Sequence, residues 1–121
     1  MPMAELVLRF NYFVRAISFV AIVVGYAAEQ ANAESALIAR GRALATNLCG
    51  RCHAIGKTGE SINPKSPPFR YLSRRYRLAD LEEALAEGII VGHEGLEMPQ
   101  FQFSPRMIDA LLAYMNSVQA K

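Results

Sequence analysis

The chain has 121 residues, 13 Lys and Arg against 11 Asp and Glu, and a formal charge of +2. That length argues for one small domain, and so even a charge balance gives no support to nucleic acid or to a strongly polarised partner. Internal repeats, low-complexity tracts and convincing period-two strand patterns are absent, so the elements read as helices.

The first third is strongly apolar and carries a targeting pattern. Arg9 and Arg15 precede an apolar run from Ile17 to Ala28, and the small-x-small triplet Ala31-Asn32-Ala33 follows. This order is that of a secretory signal peptide, with the cut expected between Ala33 and Glu34. Residues 1–33 are then a cleavable leader and residues 34–121 the working domain. The alternative is an uncleaved membrane anchor. Asn11 and Arg15 interrupt the apolar stretch from Phe10 to Ala28, however, which leaves it short of the ~20 apolar residues of a bilayer span. Removing the leader takes out two arginines (Arg9, Arg15) and two acids (Glu5, Glu29), so the slight basic surplus persists.

Residues 34–121 are marginal for building an independent core without a staple. A first helix is expected over Ser35–Leu48, with Ser35 as its cap. Leu37, Gly41, Leu44, Ala45 and Leu48 fall on one face, and Arg40 and Arg42 point away. Glycine inside a helix costs ~1 kcal/mol relative to alanine, and a close helix crossing would account for Gly41.

That helix leads into Cys49-Gly50-Arg51-Cys52-His53, a C-x-x-C-H pentapeptide. Thiols three positions apart share one side of a helical turn and can form thioethers to one porphyrin, and the following histidine can bind its iron. The candidate cofactor-binding residues are therefore Cys49, Cys52 and His53, with His53 as an iron ligand. A thioredoxin-like redox pair would need a surrounding βαβ pattern. Zinc would need four ligands, and beyond the motif the chain has no further Cys and one other His, His93.

From Ala54 to Pro68 the helical period disappears among Gly56, Gly59, Asn63, Pro64, Pro67 and Pro68. A loop of that length in a small domain is expected to wrap something, here the His53 side of a haem. The second ring nitrogen of His53 should donate to a backbone carbonyl in Ser66–Pro68. Phe69, Leu72 and Tyr76 then form an apolar stripe, with Arg70, Arg74 and Arg77 on a solvated face. Asp80 and Glu83 suggest a capping box for a helix through Leu85 that stops at Gly88.

Met98 stands before Pro99 in a segment without helical period and close to Phe101 and Phe103, which marks it as a candidate sixth ligand. His93 and an open position are the alternatives, while Met107 and Met115 read as core. Ser104 and Pro105 open a last amphipathic helix through Ile108, Leu111, Leu112, Met115 and Val118 to about Gln119. Tyr114 on that helix is a natural partner for Gly41.

The residues from Glu34 to Lys121 resemble a small class I c-type cytochrome of the bacterial monohaem kind. The resemblance rests on the glycine-bearing first helix, C-x-x-C-H, the Pro67-Pro68 loop, Met98-Pro99 and the terminal helix with its tyrosine. It implies an all-α cytochrome c fold of about four to five short helices around one covalently bound haem c. The first and last helices would cross at Gly41 and Tyr114, with iron ligation by His53 and Met98. It further implies a periplasmic electron carrier rather than an enzyme, because two strong axial ligands leave no free position on the iron. Expected partners are redox proteins, either membrane oxidoreductases or soluble dehydrogenases. The domain itself should be monomeric, not embedded in a membrane and not bound to nucleic acid. Two other classes stay open: a haem sensor or small haem enzyme with a labile sixth position, and a subunit of a larger membrane oxidoreductase. Tryptophan is absent, so arginines and tyrosines are the candidates for contacts to the propionates.

Overall fold

The computed structural model describes residues 3–88, 92–93 and 96–120, which divide into two compact units, Met1–Glu34 and Ser35–Lys121. Helix α1 spans Met3–Leu48. Ser35 therefore caps nothing. No Pro or Gly interrupts the chain between Gly25 and Gly41, and alanines at 27, 28, 31, 33 and 36 favour helix throughout.

In the first unit Val7, Leu8, Phe10, Tyr12 and Phe13 are all exposed. The side chains of residues 16–24, which make up much of the expected apolar run, lie outside the described residues. Among the described residues no helix is long and apolar enough to cross a membrane.

The second unit is built from helices. After α1 come two 3₁₀ helices, Phe69–Arg74 and Leu78–Asp80, then α2 over Leu81–Glu87 and α3 over Pro105–Val118. The five helical segments make an all-α fold, as expected. One small addition is a two-residue antiparallel ladder between β1, Gly92–His93, and β2, Leu96–Glu97, with Gly92 opposite Glu97. Helix α3 packs against α2 and against both 3₁₀ helices. Its inward stripe, Ile108, Leu111, Met115 and Val118, is at most 5 % exposed, and Phe69, Leu72, Leu78, Leu85 and Phe103 complete the core around it.

Gly41 marks the place where α1 and α3 meet. A Cβ added there would run into the Ala110 carbonyl and come within 2.8 Å of Tyr114 Cβ. Only a residue without a side chain lets the two backbones approach this closely. Gly88 ends α2 with φ +92°, a conformation that disfavours other residues.

Two local expectations fail. Tyr76 is 52 % exposed rather than part of the apolar stripe. The segment forms a 3₁₀ helix with three residues per turn, so the face shared by Phe69 and Leu72 continues to Arg75 and misses Tyr76. Asp80 forms no capping box either. Its carboxylate accepts from Arg77 Nε at 3.1 Å and Nη2 at 2.7 Å, and its own backbone is already helical at the end of the second 3₁₀ helix.

Candidate haem-attachment site

The end of α1 turns directly into the motif. The amides of Cys49 and Gly50 both donate to Ala45 O, and those of Cys52 and His53 donate to Cys49 O at 3.1 and 2.9 Å. This single turn keeps both thiols and the imidazole in one local structure. Both cysteines are free, Cys49 buried and Cys52 half-buried. Burial pushes the Cys49 thiol up to about 11, with the nearby Cys52 sulfur adding to the effect. Cys49 is thus held as a neutral group in an apolar setting.

His53 is half-buried, and its Nδ1 lies 2.8 Å from Pro67 O. A carbonyl can only accept, so Nδ1 carries the proton and the lone pair of the neutral ring resides on Nε2. This is the tautomer a metal-binding histidine requires, and the acceptor falls within the segment expected from the sequence. Pro67 and Pro68 have fixed φ and no N–H, which makes the acceptor stiff. The Phe69 ring lies 5.5 Å from the imidazole at 53°, and the Phe69 amide donates to Ala54 O at 2.9 Å.

The loop between His53 and Pro67 is stitched rather than loose. Asn63 N–H donates to Cys52 O, Ala54 N–H to Ser61 Oγ, and Ser66, itself buried, donates from N–H to Asn63 O. Arg70 contributes here too, against the expectation of a solvated face. It is 7 % exposed, donates from Nη1 to Gly59 O at 2.7 Å, approaches Glu60 at 3.7 Å and stacks over Tyr71. Burying its guanidinium is tolerable because the loop supplies an acceptor and a carboxylate. Arg74 also stacks on Tyr71, at 4.5 Å, while Arg77 is exposed and paired with Asp80. Tyr114 OH donates to Ile55 O at 3.2 Å and so links α3 to the residues just after the motif.

Met98 is half-buried and lies between β2 and Pro99, outside any helix or strand. Nearby, Phe101 and Phe103 stack on each other at 5.8 Å. Glu94, Gly95 and the side chain of His93 lie outside the described residues. Among the described residues no group of three or more His, Cys, Asp and Glu is assembled to hold a metal ion.

The family model described as Cytochrome c matches residues 38–119. The chain belongs to the cytochrome c family. No curated protein and no solved structure matches it. Membership makes the chain a haem c electron-transfer protein in general terms, and the residues of this cytochrome suit that group. Two unpaired thiols three residues apart flank one turn of backbone, and the Nδ1 proton of the adjoining imidazole is taken by Pro67 O, which leaves the lone pair on Nε2. The sequence pattern singled out these three residues as candidates. It missed Arg70 as the holder of the loop and Gln119, whose contacts with Phe69 and Ser73 are described below. Neither carries a motif, since each acts through backbone groups about 11 to 50 positions away.

Proposed function

We propose that this cytochrome is an exported, monohaem electron carrier in which Cys49 and Cys52 hold haem c through thioethers and His53 and Met98 are the axial ligands. Bound haem c supplies a one-electron Fe(III)/Fe(II) couple. The chain's part is to fix and shelter it. The observation that carries this reading is the His53 Nδ1–H···O=C Pro67 hydrogen bond, which sets the tautomer and raises the donor strength of Nε2. Met98 is the soft thioether that favours the reduced state; it is half-buried and close in sequence to Phe101 and Phe103. With both positions taken, no side chain need act as acid, base or nucleophile.

Export is proposed from the basic, apolar and Ala-x-Ala order of residues 1–33, and the reading built on it is a periplasmic carrier that serves redox proteins. Such contacts are transient and small. The test is the absorption spectrum of the haem-matured protein in both oxidation states. A low-spin spectrum unaltered by CO in the ferrous form is expected. Met98→Ala should then become CO-responsive, whereas an unchanged low-spin spectrum in that variant would remove Met98 as ligand. A high-spin or CO-responsive wild-type spectrum would favour a sensor or small haem enzyme instead.

A further inference from the structure

Gln119, the residue that ends α3, joins parts of the domain that are far apart in sequence. Its Nε2 donates to Met115 O at 2.6 Å and to Phe69 O at 2.8 Å, and its Oε1 accepts from Ser73 N–H at 2.9 Å. The next amide, Ala120 N–H, donates to Arg70 O at 2.9 Å. A neutral primary amide can give two protons and accept at the two lone pairs of its oxygen, and here both protons and one lone pair are spent on backbone. One of them satisfies a carbonyl left open by the last turn of α3. The other two reach across to the 3₁₀ helix Phe69–Arg74.

That 3₁₀ helix follows the segment that supports His53. Pro67 O accepts the Nδ1 proton, and the Phe69 ring rests against the imidazole. Neither Pro67 nor Pro68 has an amide proton with which to anchor the strand. Ser66 N–H on Asn63 O holds the chain before the prolines. After them Pro68 O accepts from Tyr71 N–H, and Phe69 ties the segment to other parts of the chain through its N–H on Ala54 O and its C=O on Gln119.

We propose that Gln119 is a positioning residue for His53. By clamping Phe69 and Ser73 to the end of α3, it keeps the Pro67 carbonyl and the Phe69 ring in place against the imidazole. The inference rests on His53 being the axial ligand, as proposed above. A loosened clamp frees the acceptor of the Nδ1 proton without removing any group that touches the imidazole.

The experiment is hydrogen exchange by NMR on the reduced, haem-matured protein, comparing wild type with Gln119→Leu and Gln119→Glu. The His53 Nδ1–H and the Ser73 amide report the clamp. The Leu111 amide, on a residue 1 % exposed within α3, reports global opening. In Gln119→Leu the His53 and Ser73 protons should exchange at least about tenfold faster than in wild type, beyond any change at Leu111. Gln119→Glu keeps the acceptor for Ser73 but turns a second oxygen toward Phe69 O. It should therefore release the His53 proton while leaving Ser73 protected. Wild-type exchange at His53 in both variants, or acceleration there no greater than at Leu111, would overturn the proposal and leave Gln119 a fold clamp only. A wild-type spectrum lacking His ligation would instead overturn the ligation reading, and this inference with it.

Discussion

At the residue scale, the motif's chemistry is set by what surrounds each side chain. Cys49 shows how. Its thiol is pushed from its ordinary value of 9.0 up to about 11 because burial opposes the thiolate. In the haem-free chain the unfolded thiol loses its proton first, so any contribution is intact below pH 9 and is lost as pH rises from 9 toward 11. The loss is on the order of 2–3 kcal/mol at most. A thioether sulfur has no proton to lose, so the haem-matured protein should lack this dependence. Urea midpoints at pH 8 and pH 10.5, measured on both forms and on a haem-free Cys49→Ala chain, check it. The Cys49 contribution is absent if the haem-free wild type and Cys49→Ala lose stability equally. Cys49, Cys52 and His53 stood out in the sequence because a local spacing encodes the motif, and the carbonyl acceptor for His53 was expected from the habit of metal-bound histidines. Arg70 was not, because its burial depends on Gly59 O, which only the folded loop delivers.

At the element scale, the crossing of α1 and α3 governs the domain's architecture. Gly41→Ala should gain up to ~1 kcal/mol in helix propensity. It also forces a methyl group against the Ala110 carbonyl, which cannot swing away as a side chain end would. Overpacking of this kind costs ~1–3 kcal/mol, and contact with backbone puts it at the upper end. A net loss near ~2 kcal/mol should lower the melting temperature by on the order of 10 °C. Thermal unfolding of the matured variant tests this, and a Tm at or above wild type would contradict the crossing. Tyr114→Phe removes only the bond to Ile55 O and should cost ~0.5–1.5 kcal/mol in the same assay.

Helices with local punctuation were readable in advance: Ser104-Pro105 opens α3 and Gly88 closes α2. The start of α1 was misread, because Ser35 resembles a cap only when the preceding residues are set aside. The fate of Tyr76 turned on 3₁₀ rather than α geometry, a distinction that apolar spacing over so short a segment does not carry. The two-residue ladder β1–β2 is too brief to leave any alternation.

At the scale of the whole molecule, residues 1–33 and 34–121 are expected to have separate fates. The exported, haem-matured protein should have a mass corresponding to residues 34–121 plus one haem c. Intact mass spectrometry of the periplasmic fraction decides the point. A mass that still includes residues 1–33 would favour the anchored alternative. Residues 34–121 produced behind an unrelated leader should mature to the same spectrum, since Ser35–Lys121 forms a compact unit by itself.

The bonds made by Gln119 and Ala120 also impose an order of events on synthesis. The segment that buttresses His53 is closed by residues about 50 positions further along, which are the last described ones to emerge from a ribosome or export channel. Until they arrive, Phe69 O and Ser73 N–H lack their partner at the end of α3. Domains ordinarily begin to fold from the amino terminus as they are made. Here part of the support behind His53 comes from the far end of α3, so Phe69 O and Ser73 N–H gain these partners only after that helix has been made.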